Sequence, residues 1–124
     1  MADAPRGLCP RYHRAVELIG RRWAGAIVRT LLAGPARYHE LRAAIPDISD
    51  RMLSERLREL EEEDVIARSV IPETPVRVEY ALTAKGRDLE TAVTAIGDWA
   101  ERWIPAEPDA EAQSIAKSRE ASRS

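Results

Sequence analysis

Between Ser49 and Leu82 the spacing of apolar residues changes once, from helical to alternating, and this change constrains the fold more than any other feature. At 100° per residue, Leu53, Leu57 and Leu60 fall on one narrow stripe. Arg51, Ser54, Glu55 and Arg58 fall on the opposite side, with Met52 and Arg56 on a flank. Ser49 is the expected N-cap, because its hydroxyl can accept an orphan backbone N–H. From Val65 onward the period becomes two. Val65, Ala67, Ser69 and Ile71 alternate with Ile66, Arg68 and Val70. After "PETP", Val76, Val78, Tyr80 and Leu82 alternate with Arg77, Glu79 and Ala81. Two short β-branched runs around a Pro-bounded loop predict a hairpin.

The helix ends oddly. Glu61, Glu62, Glu63 and Asp64 gather at its C-terminus, where the helix dipole favours cations. This arrangement suits a helix whose N-terminal turns face phosphates while its tail points away. Upstream, "CPRYHRAVELIG" predicts a short helix with Cys9 as N-cap, Pro10 at the first position and Gly20 at the end. "RRWAGAIVRTLLAGP" predicts a second, with Trp23, Ile27 and Leu31 in line and Gly34-Pro35 as the stop. "RYHELRAAIP" predicts a third, with Leu41 and Ile45 inward. "TAKGRDLETAVTAIGDWAERWI" returns to helical period, with Leu89, Ala92, Val93, Ile96, Trp99, Ala100 and Trp103 as one wide stripe.

The expected class is therefore mainly α with a small β-hairpin wing: a winged helix-turn-helix. Such a module places its second motif helix in the major groove of double-stranded DNA and its wing against the backbone or minor groove. The groove-facing set is then Arg51, Ser54, Glu55 and Arg58. Arg can bond guanine, Glu can accept from cytosine N4, and Ser can bond a base or a phosphate. Arg37, Tyr38 and Ser49 complete this set at the helix starts, the Tyr38 hydroxyl on a phosphate. Arg77 beside the wing loop is the expected wing contact.

Charge and composition narrow the alternatives. The formal net charge of -2 argues against indiscriminate nucleic-acid binding. It leaves room for a local basic face. Arg6, Arg11, Arg14, Arg21, Arg22, Arg29, Arg37 and Arg42 meet only Glu17 and Glu40 in the same stretch, which suggests two faces with different partners. Cys9 is the only cysteine, so no intrachain disulfide is possible, and a lone thiol fits a reducing, cytoplasmic compartment. "MADAPRG" has no apolar core of a signal peptide, and no run is long enough to span a bilayer. His13 and His39 lack a metal-ligand set, so neither metal nor cofactor is expected. There is no phosphate loop, paired acid–base site or nucleophile with an evident base, so an enzyme is not expected.

From Cys9-Pro10, through "ELIGRRWAGAIVRTLLAGPARYHELRAAIPDISDRMLSERLRELEEEDVIAR" and "TPVRVEYALTAKG", to the Trp-containing last helix, the chain resembles the HxlR-type winged-helix transcriptional regulators, relatives of the MarR group. It departs from the family pattern at Ala24-Gly25, and in "EDVI", which lacks the usual glycine before the first wing strand. The resemblance implies a homodimer, built from the first and last helices, that binds inverted-repeat operators. The residues add their own reason. The last helix carries more apolar side chains than a small module needs. Val93, Ile96, Trp99, Ala100 and Trp103, together with Tyr12, Val16 and Trp23, are candidates for a dimer interface or a ligand pocket. Repression is the default mode, since a small dimer without an activation domain acts most simply by blocking polymerase.

Cys9 stands at a helix N-terminus near Arg6, Arg11 and Arg14, where a thiol is expected to react more readily. The resemblance implies that some members sense oxidants or electrophiles through this "CP" segment. Other readings stand beside it: a small aromatic or apolar effector between subunits, or a winged helix that binds protein rather than DNA. The expected organisation is an N-terminal arm over 1–8, the DNA-binding and dimerisation domain over 9–104, and a disordered tail over 105–124.

Overall fold

The computed structural model describes residues 7–106. Most of the expected arm and of the expected tail lies outside the described residues. The elements run α1 (Pro10–Gly20), α2 (Ala24–Leu32), α3 (Tyr38–Ala44), α4 (Asp50–Glu62), β1 (Ile66–Ile71), β2 (Arg77–Leu82), α5 (Ala84–Arg87) and α6 (Glu90–Trp103). The chain divides after Val93 into two compact units. The first holds α1 to α5, the hairpin and the start of α6.

The core of the first unit is aliphatic. Ile27, Val28 and Leu31 of α2, Leu41 and Ile45, Ile48, and Leu53, Leu57 and Leu60 of α4 pack with Val65, Ile66, Leu82 and Val93. The leucine stripe on α4 is thus the buried face. Full burial of each such side chain contributes about 1.5–3 kcal/mol. The Ser49 hydroxyl accepts from Met52 N–H at 3.1 Å and starts the helix as expected.

The end of α4 explains two oddities of the sequence. Asp64 takes φ 60°, the left-handed conformation that usually calls for glycine. Val65 N–H donates to the Leu60 carbonyl at 2.9 Å and Asp64 N–H to that of Glu61 at 3.0 Å, which closes a Schellman turn. Aspartate therefore fills the place of the missing glycine. The cation that the dipole needs arrives from elsewhere. Lys85 of α5 donates to the Glu63 carbonyl at 2.6 Å.

β1 and β2 pair antiparallel, from Ile66 opposite Leu82 to Ile71 opposite Arg77. Ala36 adds a bridge on the other side of β2. Its N–H and carbonyl both bond Tyr80, at 2.9 and 2.8 Å. The hairpin is thus tied to the α2–α3 connection as well as to α4.

Two expectations need correction. The second helix starts at Ala24, not Arg21. Trp23 lies at φ 74°, a left-handed conformation that costs a non-glycine residue about 1–2 kcal/mol. Arg56 of α4 holds this turn by donating from Nε to the Arg22 carbonyl at 2.9 Å. The Arg22 guanidinium lies 5.2 Å from the centroid of the Trp23 ring. Second, the last helical stretch is broken. Thr83 caps α5 by accepting from Gly86 N–H at 3.0 Å, and α6 begins only at Glu90. A Cβ on Gly86 would stand 2.1 Å from the Val65 carbonyl oxygen, so this close approach requires glycine. The wide apolar stripe of the last helix is only partly buried within the chain, in line with the surplus read from the sequence. Val93 is in the core and Leu89 packs against it, but Ile96, Trp99, Trp103 and Ile104 are exposed.

Candidate nucleic-acid interface

The exposed side of α4 presents Arg51, Ser54 and Arg58. Glu55 is only half-exposed, and its carboxylate takes Arg51 Nε at 3.2 Å, so these two expected contacts hold each other. Arg58 has no ion partner among the described residues. Across from it stands Arg68 of β1, also exposed and without an ion partner among the described residues. Ser54, Leu57, Arg58, Glu61, Arg68 and Tyr80 line an open recess of about 210 Å³ between α4 and the hairpin. Arg68 was absent from the expected set. Its signal was the alternation itself, which puts it opposite Tyr80, two residues from the core residue Ile66.

The start of α4 is tied to α3. The Tyr38 hydroxyl lies 3.0 Å from the Asp50 carbonyl oxygen, 3.1 Å from Asp50 Oδ1 and 3.4 Å from Ser54 Oγ. Arg42 Nε lies 2.9 Å from the same Oδ1, and Arg42 also donates to the Ile48 carbonyl. The Tyr38 proton is thus already engaged within the protein rather than free for phosphate. Arg37 is the N-cap residue of α3, where its N–H donates to Glu40 Oε1 at 2.9 Å. Ser49 remains exposed while it caps α4.

Arg77 differs from expectation. Only 29% of its side chain is exposed, and it lies between Glu73 at 3.4 Å and Glu79 at 3.3 Å. It is held by the wing's own acids. Arg68 is the hairpin cation without an ion partner among the described residues.

The basic N-terminal stretch also changes meaning. Arg14 pairs with Glu63 at 2.8 Å, Arg21 with Glu59 at 3.4 Å and Arg42 with Asp50. Arg56, expected on a flank of α4, is buried instead, with both Glu59 oxygens within 3.1 Å. Part of the apparent charge asymmetry is therefore matched inside the molecule, acids of α4 and its C-cap against Arg14 of α1, Arg21 of the α1–α2 turn and Arg42 of α3.

Cys9 is exposed at the N-cap of α1, and α1 has no buried residue. Tyr12 and Val16 are exposed, while Trp23 is partly buried against the core. His13 contacts Glu17 on the surface of α1, and His39 is exposed. Among the described residues no group of three or more His, Cys, Asp or Glu converges. No described helix is long and apolar enough to cross a membrane.

Three short helices, a capped fourth with cations on its outer side, and a hairpin beside it define a winged helix-turn-helix transcriptional regulator. Residues 18–108 match the model of the HxlR-like helix-turn-helix family, and the chain belongs to it. It is 52% identical over 97 residues to the HTH-type transcriptional regulator YvaP of Bacillus subtilis, covering 78% of this chain and 90% of that one. The reduced form of the transcriptional regulator YodB from B. subtilis superposes with a TM-score of 0.73 at 42% identity, over 82% of this chain and all of that one. YodB has also been solved diamide-treated and quinone-bound. The redox regulator HypR in its oxidized form gives a TM-score of 0.74 at 36% identity, over 79% of this chain and all of that one. The family is one of DNA-binding regulators, not of enzymes.

Proposed function

We propose that the chain acts as a homodimeric repressor that inserts α4 into the major groove at each half of an inverted-repeat operator. One observation carries this reading: Arg58 and Arg68 flank a recess on the outer side of α4 without an ion partner among the described residues. Cations left unsatisfied beside a capped, exposed helix face suit phosphate oxygens or guanine edges. Arg51 joins them by exchanging Glu55 for DNA. Ser54 and Glu55 then face the bases. Arg37, Tyr38 and Ser49 stand at the helix starts, nearest the backbone, where Arg37 has no ion partner among the described residues. Arg77 contributes less, because Glu73 and Glu79 already neutralise it.

Fluorescence anisotropy with DNA from upstream of the chain's own gene, titrated at several salt concentrations beside a scrambled duplex, tests the reading. Selective binding whose log K falls steeply with log salt is expected. Equal, weak binding to both duplexes at every salt concentration contradicts it.

The dimer rests on apolar surface. Tyr12 and Val16 on α1, and Ile96, Trp99 and Trp103 on α6, are exposed, with Ala100 half-buried on the same helix. Exposed aromatic residues of this kind mark interaction surfaces. Sedimentation equilibrium of Trp99→Glu is expected to shift the chain toward monomer.

The proposed signal is an oxidant or electrophile at Cys9, as the exposed thiol and the reduced, diamide-treated and quinone-bound forms of YodB suggest. In a dimer, Cys9 pairs only with the partner subunit or a small thiol. Cys9→Ser is expected to bind DNA normally and lose its response to diamide. A retained response would direct attention to an apolar effector instead.

A further inference from the structure

The Tyr38–Asp50–Ser54 cluster fixes the polarity of one group on the groove face. The Tyr38 hydroxyl has one proton, and both oxygens of Asp50 that it approaches, the backbone carbonyl at 3.0 Å and Oδ1 at 3.1 Å, are acceptors only. Arg42, at 2.9 Å from Oδ1, holds that carboxylate in place. Toward Ser54 Oγ, at 3.4 Å, Tyr38 can therefore only accept. In a hydrogen bond between the two hydroxyls Ser54 is then the donor, which leaves the lone pairs of its Oγ on the exposed side.

We propose that Ser54 is a specificity-determining residue that accepts rather than donates in the major groove, and so selects the exocyclic amino group of adenine or cytosine. The proposal rests on the DNA-binding reading above. It follows from the groove code. Adenine N6 and cytosine N4 are donors there, whereas guanine O6 and N7 and thymine O4 are acceptors that need a proton from the protein. A serine with a free hydroxyl serves both kinds. A serine whose proton is committed inward serves one. Tyr38, Asp50 and Arg42 are positioning residues in this scheme. They touch no base and set the direction of the Ser54 hydroxyl.

The test starts with tight-binding duplexes selected from a randomised library by the full chain, by Ser54→Ala and by Tyr38→Phe. Ser54→Ala, on an exposed site, is expected to relax preference at one base pair of each half-site. In the wild-type duplex the amino group at that pair is then deleted, with purine for adenine or 2-pyrimidinone for cytosine. The wild-type chain is expected to lose about five- to tenfold in affinity, and Ser54→Ala to lose nothing further. Tyr38→Phe keeps the ring but frees the serine proton, and is expected to accept guanine or thymine at the same position. A merely structural Tyr38 would weaken binding to all duplexes alike. An unchanged profile for Ser54→Ala, a costless amino deletion in the wild type, or a Tyr38→Phe profile identical to the wild type overturns the proposal. If the wild-type chain enriches no duplex, the DNA-binding reading itself fails, and this proposal fails with it.

Discussion

Arg56 and Arg58 stand two residues apart on α4 and meet opposite surroundings. Arg56 is buried, donates to the Arg22 carbonyl and pairs with Glu59. Arg58 is exposed beside a recess, with no ion partner among the described residues. The rear of the helix spends its charge on holding the α1–α2 turn, including the left-handed Trp23. On the outer side Arg51 is held by Glu55, while Arg58 has no such partner among the described residues. A guanidinium on a recognition helix is thus no sign of DNA contact by itself; what matters is whether the fold has already satisfied it. The same distinction separates Arg68 from Arg77 on the hairpin.

The comparison can be broken from the rear first. Leu53→Ala, at a fully buried site, is expected to cost about 2–5 kcal/mol of stability, read by urea denaturation. Arg56→Ala should cost about 1.5–3 kcal/mol, because it removes charged hydrogen bonds to the Arg22 carbonyl and Glu59. Wild-type stability in Arg56→Ala would mean that the α1–α2 turn needs no latch. From the outer side, Arg58→Ala is expected to leave the urea midpoint within about 0.5 kcal/mol of wild type. Its affinity for a selected duplex should fall about tenfold. The smallest effect is expected at the tail of α4. Asp64→Gly relieves a left-handed aspartate and should raise the melting temperature, by a stabilisation of about 0.5–1 kcal/mol. No gain there would mean that the Asp64 side chain compensates its own backbone.

Local pattern carried much of the fold. The leucine stripe, the Ser49 cap, the start of α1 at Pro10 and the two alternating runs were all legible, because each depends on neighbours within one or two turns. What escaped depends on distant partners. Nothing near Arg56 in sequence announces the Arg22 carbonyl, 34 positions away. Lys85 completes the dipole of a helix to which it does not belong. The break between α5 and α6 follows from the approach of Gly86 to the Val65 carbonyl, which helical periodicity does not register. At the candidate site, Arg51, Ser54 and Arg58 were legible as an exposed face. The engagement of Tyr38 by Asp50, and of Arg77 by Glu73 and Glu79, was not, since ion pairing across turns and strands is set by the folded geometry.

The most direct test of the two-sided reading of α4 is the salt dependence of binding by Arg58→Ala and Arg56→Ala on one duplex selected by the wild-type chain. Arg58→Ala is expected to weaken binding and, where it meets a phosphate, to flatten the slope of log K against log salt by about one. Folded Arg56→Ala should keep the wild-type slope. Equal slopes and affinities for Arg58→Ala and wild type, or a flattened slope for Arg56→Ala, would contradict the assignment of the outer side of α4 to DNA and of its rear to the fold.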